Sequence, residues 1–203
     1  MNIMALFMII IGYLFGSLNF SIIIGKLFYH TDVREHGSKN AGATNTLRTL
    51  GTLPAVCVLV LDTVKAVVAY FVAFLTTKDY AVSYLTATFA SLGHNYPVYF
   101  GFKGGKGVTV SLGAVFCFSP LAGLCTLLVG VLVIAVSRFV SLGSISAAIT
   151  APFFVWIFCS SQYRVFALVL AIILALQIII RHRANIKRLI AHNENKISFS
   201  KKG

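Results

Sequence analysis

An all-α, polytopic transmembrane helical bundle is the fold class this 203-residue sequence predicts, and three observations predict it. Hydrophobic residues make up 58% of the chain and charged residues only 11%, with a mean hydropathy of +0.90, far outside the balance of soluble domains. The apolar residues are gathered into long runs separated by short polar segments, the pattern of membrane-crossing helices. The 17 Lys and Arg, against 5 Asp and Glu, concentrate between particular runs, as orientation by positive charge requires. One membrane domain over residues 1–203 follows, because the apolar surface faces lipid and neighbouring helices and no separate soluble domain fits.

The first run, 3–24, lacks a positive leading region and a small-residue cleavage site and is followed by Lys26, so it reads as a retained span. Run 54–76 is the second. Asp62 and Lys65 interrupt it at i, i+3, and because charges within a membrane require partners, a mutual ion pair is expected. Run 81–92 is the third. Run 108–118 is short: at about 1.5 Å per residue it covers roughly half of a ~30 Å hydrocarbon core, and Ser119-Pro120 marks the break after it. Runs 121–136, 143–159 and 163–180 complete a preferred set of seven spans, one of them short, with the N-terminus outside and the C-terminus in the cytoplasm. This arrangement leaves only Lys78 and Arg164 outside. A five-span alternative, merging 108–136 and 143–180, exports Arg138 and Ser141. No internal repeat is visible, so an inverted-repeat transporter has no support.

All the unusual polar chemistry then falls on the cytoplasmic side, in segments 25–53, 93–107, 137–146 and 181–203. In the first, small hydrogen-bonding residues from Ser38 to Gly42, Asn40 among them, precede a short helix whose Thr44, Asn45 and Arg48 share a face at i, i+3 and i+4. Free N–H groups at such a helix start, with Arg48, suit a phosphate or a developing oxyanion. A capped interfacial helix with Arg48 on lipid headgroups is the plainer alternative. The second segment carries His94 and the acid-free stretch Lys103-Gly104-Gly105-Lys106-Gly107, whose glycines allow close backbone approach to an anion. It is not a Walker A loop: Phe100 stands where the first glycine belongs and Gly107 where the Mg²⁺-binding hydroxyl belongs. Ser141, Ser144 and Ser146 stud the third segment. In the fourth, His182, Asn185 and Leu189 share a helical face, while Arg181, Arg183, Lys187 and Arg188 suit lipid headgroups.

Several classes are disfavoured. The basic residues are dispersed and form no nucleic-acid-binding motif. Cys57, Cys117, Cys125 and Cys159 lie in apolar runs without metal-ligand spacing. Acids are too few for a two-metal carboxylate site or for a Mg²⁺-dependent CDP-alcohol phosphotransferase, so no metal or cofactor is expected. His30 and Glu35 have the spacing of a His-x-x-x-x-acid acyltransferase motif, but their surroundings do not match it.

Taken together, the segments resemble the bacterial acyl-phosphate:glycerol-3-phosphate acyltransferase family, PlsY, over nearly the whole chain. Its Ser-x-Asn-x-Gly-Ala-Thr-Asn-x-x-Arg motif is matched by Ser38, Asn40, Gly42, Ala43, Thr44, Asn45 and Arg48. Gly93, His94 and Pro97, then Phe102 to Val108, match the second motif, and His182, Asn185 and Glu194 the last. Lys39 stands where the family usually has glycine, Thr109-Val110 replaces Ala-Thr, and Asn193 replaces the glycine before Glu194.

The resemblance implies transfer of a fatty acyl group from acyl phosphate to the 1-hydroxyl of sn-glycerol 3-phosphate at a bacterial inner membrane, with the site on the cytoplasmic side. It also implies an upstream enzyme that makes acyl phosphate. Ser38 and Arg48 would be catalytic, binding the acyl-phosphate end or stabilising its oxyanion, and Lys103, Lys106 and the 104–107 backbone would bind the glycerol phosphate. Asn40, Thr44, Asn45, His94 and Ser141 would help bind substrate, with His182 and Asn185 catalytic. The base is left open among His182, His94 and the substrate's own phosphate. An anion channel, or a transporter of phosphate compounds, is the other functional class weighed; it predicts matching polar residues on both faces, and the external turns are nearly empty of them. A structural protein holding partners on its basic face would tolerate replacement of Gly104 or Gly105.

Overall fold

The computed structural model describes residues 3–197, which leaves Lys201 and Lys202, expected in the cytoplasm, outside the described residues. The described residues form ten α-helices and two 3₁₀ turns. In order they are α1 (Ile3–Gly16), α2 (Phe20–Tyr29), α3 (Ala43–Leu50), α4 (Thr52–Thr77), α5 (Tyr80–Asn95), α6 (Val108–Phe118), α7 (Pro120–Ser137), α8 (Val140–Phe158), α9 (Arg164–Arg181) and α10 (Arg183–Ile190).

Local chemistry sets the breaks. Asn19 caps α2 by accepting from the Ile22 N–H at 3.2 Å, Asp79 caps α5 through the Ala81 N–H at 2.8 Å, and Ser119 caps α7 with Pro120 in its first turn. Four helices, α4, α7, α8 and α9, are each long and apolar enough to cross a membrane, and α1 with α2 forms a fifth candidate bent by 41°. The continuous first span expected over 3–24 is thus broken at residues 17–19, where Asn19 starts a second helix. The merged helices of the five-span alternative do not form, because the chain breaks at Ser119 and again between Cys159 and Tyr163. At 16 and 11 residues, α5 and α6 fall short of that length, so among the described residues four or five of the seven expected spans meet it.

Helix contacts rest on small residues, which let backbones approach when lipid supplies no hydrophobic driving force between helices. A Cβ on Gly12, Gly16 or Gly93 would collide with backbone atoms of the facing helix, so α1 and α5 are packed backbone to backbone. α4 lies against α5 and α6, while α7, α8 and α9 form a second layer. Tyr70, Tyr84, Phe118, Val155 and Leu174 belong to the largest buried cluster, where these groups meet. The four polar segments lie at the C-terminal ends of α2, α5, α7 and α9.

Candidate active site

All four polar segments converge there on one cavity of about 300 Å³. The first contributes Ser38, Asn40, Thr44, Asn45 and Arg48, the second His94, Lys106 and Gly107, the third Ser141, and the fourth His182, Asn185 and Glu194. Below this polar mouth the lining turns apolar, with Val115, Ala148, Ala151, Ala171 and Ala175. From His182 to Ala171 on α9 the helical rise gives a depth of about 16 Å. Leu59, Leu127 and Val131 also line it and are exposed on the outer surface, so the apolar part opens sideways toward lipid.

The first segment is held by amides. Asn19 Nδ2 donates to the Ala41 carbonyl at 3.2 Å, and Ser21 meets Thr46 at 2.7 Å, joining α2 to α3. Asn45 is buried and its side chain is fully used: Oδ1 accepts from the Ser38 N–H and hydroxyl, while Nδ2 donates to the Val33 and His36 carbonyls at 2.6 and 3.1 Å. These four bonds tie the 33–38 loop to α3. Gly37 and Lys39, on either side of Ser38, both have left-handed φ, +57° and +56°. His30 and Glu35 lie off this cavity.

The glycine stretch faces differently from its sequence reading. The Gly105 N–H donates to the His94 carbonyl at 3.1 Å. The Gly104 and Gly105 carbonyls accept from the Arg181 guanidinium at 2.9–3.1 Å, with that guanidinium stacked on Tyr96 at 5.2 Å. The Gly104 and Gly105 carbonyls thus face a cation, and the Gly105 N–H is turned to the protein. Lys103 and Gly104 line a separate open groove with Glu35, Lys39 and Arg181, and Asn40 borders both spaces. Of the five residues from Lys103 to Gly107, the structure brings only Lys106 and Gly107 to the cavity. Glycine content announces flexibility but not which way the peptide groups turn.

Lys106 donates to Asn185 Oδ1. Asn185 Nδ2 in turn donates to Glu194 Oε1 at 2.7 Å, and Glu194 also accepts from Arg188 at 2.7 Å and Ser141 at 3.1 Å. Burial opposes ionisation of Glu194, but these hydrogen bonds outweigh it and hold its carboxyl below the usual range. Burial, reinforced by Arg188, Arg48 and Arg181, pulls Lys106 down to about 8 against the pull of Glu194. Burial and the Lys106 charge likewise lower His182 to about 4. His182 Nδ1 lies 2.8 Å from the Ile178 carbonyl; a carbonyl only accepts, so Nδ1 carries the proton and Nε2 keeps a lone pair.

The Asp62–Lys65 pair expected from the sequence forms at 2.9 Å, both side chains 1% exposed. A third member, His94, was not legible: its Nδ1 lies 3.0 Å from Lys65 Nζ. Nothing in local spacing connects α4 to the end of α5. The role of Arg181 is also tertiary, and for Glu194 the last motif marked the residue but not its partners Ser141, Asn185 and Arg188.

A cationic, amide- and hydroxyl-lined mouth joined to an apolar groove that opens on lipid defines a membrane enzyme working at the lipid–water boundary on phosphate-bearing, long-chain molecules. Residues 6–192 match the family model described as glycerol-3-phosphate acyltransferase. The glycerol-3-phosphate acyltransferase of Shouchella clausii (strain KSM-K16) is 46% identical, covering 93% of this chain and 94% of that one. That of Aquifex aeolicus (strain VF5) is 42% identical over 95% of this chain and 98% of its own. Two crystal structures of PlsY, described as an integral membrane glycerol 3-phosphate acyltransferase, superimpose with TM-scores of 0.88 for the glycerol 3-phosphate form and 0.85 for the lysophosphatidic acid form. They are 42% and 41% identical and cover 96% of this chain and 96% and 95% of theirs. The chain belongs to the glycerol-3-phosphate acyltransferase family.

Proposed function

We propose that the protein transfers a fatty acyl group from acyl phosphate to the 1-hydroxyl of sn-glycerol 3-phosphate, giving lysophosphatidic acid and inorganic phosphate. The observation that carries this reading is the single cavity in which Arg48, Lys106 and His182 stand at the head of a lipid-facing apolar groove. Such a space suits two phosphates side by side, one of them attached to a chain lying in the groove.

Acyl transfer is direct in this scheme. The glycerol C1 oxygen attacks the acyl carbonyl carbon, the bond from that carbon to the phosphate oxygen breaks, and the hydroxyl proton goes to a phosphate oxygen. Phosphate, with a second pKa of about 6, is a stronger base than His182 at about 4. The proton therefore goes to substrate phosphate, and His182 Nε2 accepts instead from the neighbouring C2 hydroxyl of the glycerol, which aims the attacking C1 oxygen. Lys106 and Arg48 balance the phosphate charges, and Ser38, Asn40, Thr44 and the start of α3 bind phosphoryl or acyl oxygens. Asn185 orients Lys106 and, with Ser141, seats Glu194. Lys103, Gly104 and Gly105 act from outside the cavity, by shaping the loop that delivers Lys106.

The enzyme works in this reading at the cytoplasmic face of a bacterial cytoplasmic membrane, with seven crossings when α1 and α2 count as one, and receives acyl phosphate from an enzyme that makes it. The test is to incubate the protein in lipid with glycerol 3-phosphate and either palmitoyl phosphate or palmitoyl-CoA, without added metal, and measure lysophosphatidic acid. Product from palmitoyl phosphate alone is expected. Product from palmitoyl-CoA alone overturns the donor, and a labelled acyl-protein adduct in a single turnover overturns direct transfer.

A further inference from the structure

Two charged side chains fully buried in a membrane helix demand an explanation beyond their mutual attraction, because an apolar pair of the same volume would pack at least as well. Lys65 is the informative one. Its ammonium has three N–H groups and three neighbours: it donates to the Leu18 carbonyl at 3.0 Å, pairs with Asp62 Oδ1 at 2.9 Å, and meets His94 Nδ1 at 3.0 Å. The Phe20 ring lies 5.6 Å away, an environment that favours a cation. Lysine is intrinsically the stronger base of the two by about four units, and the adjacent carboxylate favours keeping the charge on it. An ammonium offers only donors, and Asp62 Oδ1, 3.5 Å from His94 Nδ1, is farther from that nitrogen than Lys65 Nζ at 3.0 Å and makes no hydrogen bond with it, so His94 Nδ1 accepts from Lys65.

We propose that Asp62 and Lys65 are positioning residues that fix His94 as a neutral imidazole protonated on Nε2, so that it presents an N–H donor to a phosphoryl oxygen of substrate. His94 lines the cavity, and its Nε2 has no hydrogen-bond partner among the described residues. That nitrogen sits beneath Gly105, where any Cβ would strike the His94 ring, so the glycine keeps this edge of the ring uncovered by side chain. The two cavity histidines thereby carry opposite tautomers. His182 gives its Nδ1 proton to a carbonyl and keeps an acceptor at Nε2, whereas His94 gives up its Nδ1 lone pair and keeps a donor at Nε2. This arrangement removes His94 from the candidates for the base. Asp62 supplies the counter-charge that lets an ammonium stand at this depth.

The tautomer stands on geometry alone, whereas its use on a phosphoryl oxygen rests on the function proposed above. The measurement is ¹⁵N NMR of the full chain in lipid nanodiscs with labelled histidine, the His94 signals being assigned among the five histidines by their loss in His94→Gln. The expected result is a protonated Nε2 and an unprotonated Nδ1, with the Nε2 resonance moving on saturation with glycerol 3-phosphate or with palmitoyl phosphate; the two additions tell which phosphate is held. In Asp62→Leu/Lys65→Leu, which leaves no buried charge, the tautomers mix, and KM for that substrate rises roughly tenfold with a smaller change in kcat.

A wild-type His94 protonated on Nδ1, or on both nitrogens, overturns the proposal, and this measurement decides even where the double variant does not fold. So does an Nε2 resonance that neither substrate moves, or a folded double variant with unchanged tautomer and KM. Turnover with palmitoyl-CoA alone would instead defeat the donor assignment and leave the histidine signals intact.

Discussion

Ser38 is gripped twice by one atom, Oδ1 of Asn45, which accepts from the Ser38 backbone N–H at 2.7 Å and from its hydroxyl at 3.1 Å. Loss of that amide would leave the Val33 and His36 carbonyls without their Asn45 donor as well. Asn45→Ala should therefore destabilise by about 2–4 kcal/mol, the cost of several hydrogen bonds at a buried site. It should lower kcat further than a variant that merely lowers stability. Thermal melting in detergent, run beside turnover at a temperature where the variant is folded, separates the two effects.

Lys106 makes substrate binding sensitive to alkali. With its ammonium lowered to about 8 from an unfolded value of about 10.4, the free enzyme loses this charge as pH rises through 8, and KM for glycerol 3-phosphate should climb there. Lys106→Arg should abolish that climb, since guanidinium stays charged. A bound dianion favours the ammonium and raises its pKa, so binding near pH 8.5 takes up protons. Calorimetry in buffers of different ionisation enthalpy should detect the uptake. For folding the sign is the reverse of the usual lysine: the depressed value makes the charged form a liability, and stability from this group grows between pH 8 and about 10.4.

Lys39 sits at φ +56°, a left-handed conformation that suits glycine. Lys39→Gly relieves about 1–2 kcal/mol of steric cost and gives back about 0.5–1 kcal/mol in unfolded-chain entropy. Net stabilisation of about 0.5–1 kcal/mol is expected, read as a higher melting midpoint with kcat retained.

Gly105→Ala tests why the glycine stretch contains glycine. The added carbon would meet the His94 ring and, at 2.6 Å, the Ala41 carbonyl. Overpacking of this kind costs about 1–3 kcal/mol; His94 lines the cavity, and Ala41 lies between Asn40 and Gly42, which also line it. Activity should fall by at least tenfold while the helical content measured by circular dichroism persists. Unchanged turnover would show that the loop yields easily.

The apolar groove predicts chain-length discrimination. Ala171→Leu puts branched bulk at the deep part of the lining, and should raise KM for long acyl phosphates while sparing short ones. Each buried methylene contributes about 0.8 kcal/mol. A series of donors of increasing length gives the crossover directly.

The bundle, the ion pair and most of the site were legible because each rests on local pattern: long apolar runs, two charges at i, i+3, polar segments rich in hydroxyls, amides and cations. Ser119-Pro120 announced its own break. The break at residues 17–19 was missed although Asn19 can cap a helix, because an unbroken apolar run outweighs one capping residue. His94 joining Asp62 and Lys65, Arg181 taking the Gly104 and Gly105 carbonyls, and Glu194 gathering Ser141, Asn185 and Arg188 all link residues far apart in the chain. Such contacts follow from how helices pack, and no period or spacing within one segment contains them.

The interruption between α1 and α2 has a consequence for how the protein is made. A continuous helix would tie the Leu18 carbonyl into its own ladder; the break leaves it for Lys65, at 3.0 Å. Synthesis runs from the N-terminus, so this carbonyl is made before the lysine that needs it, and α4 emerges with its own counter-ion one turn away. His94 follows last and completes the set. Truncating α1 and α2 would therefore leave the Lys65 ammonium without its Leu18 acceptor in a segment that already carries two buried charges, and should lower the amount of protein recovered in the membrane.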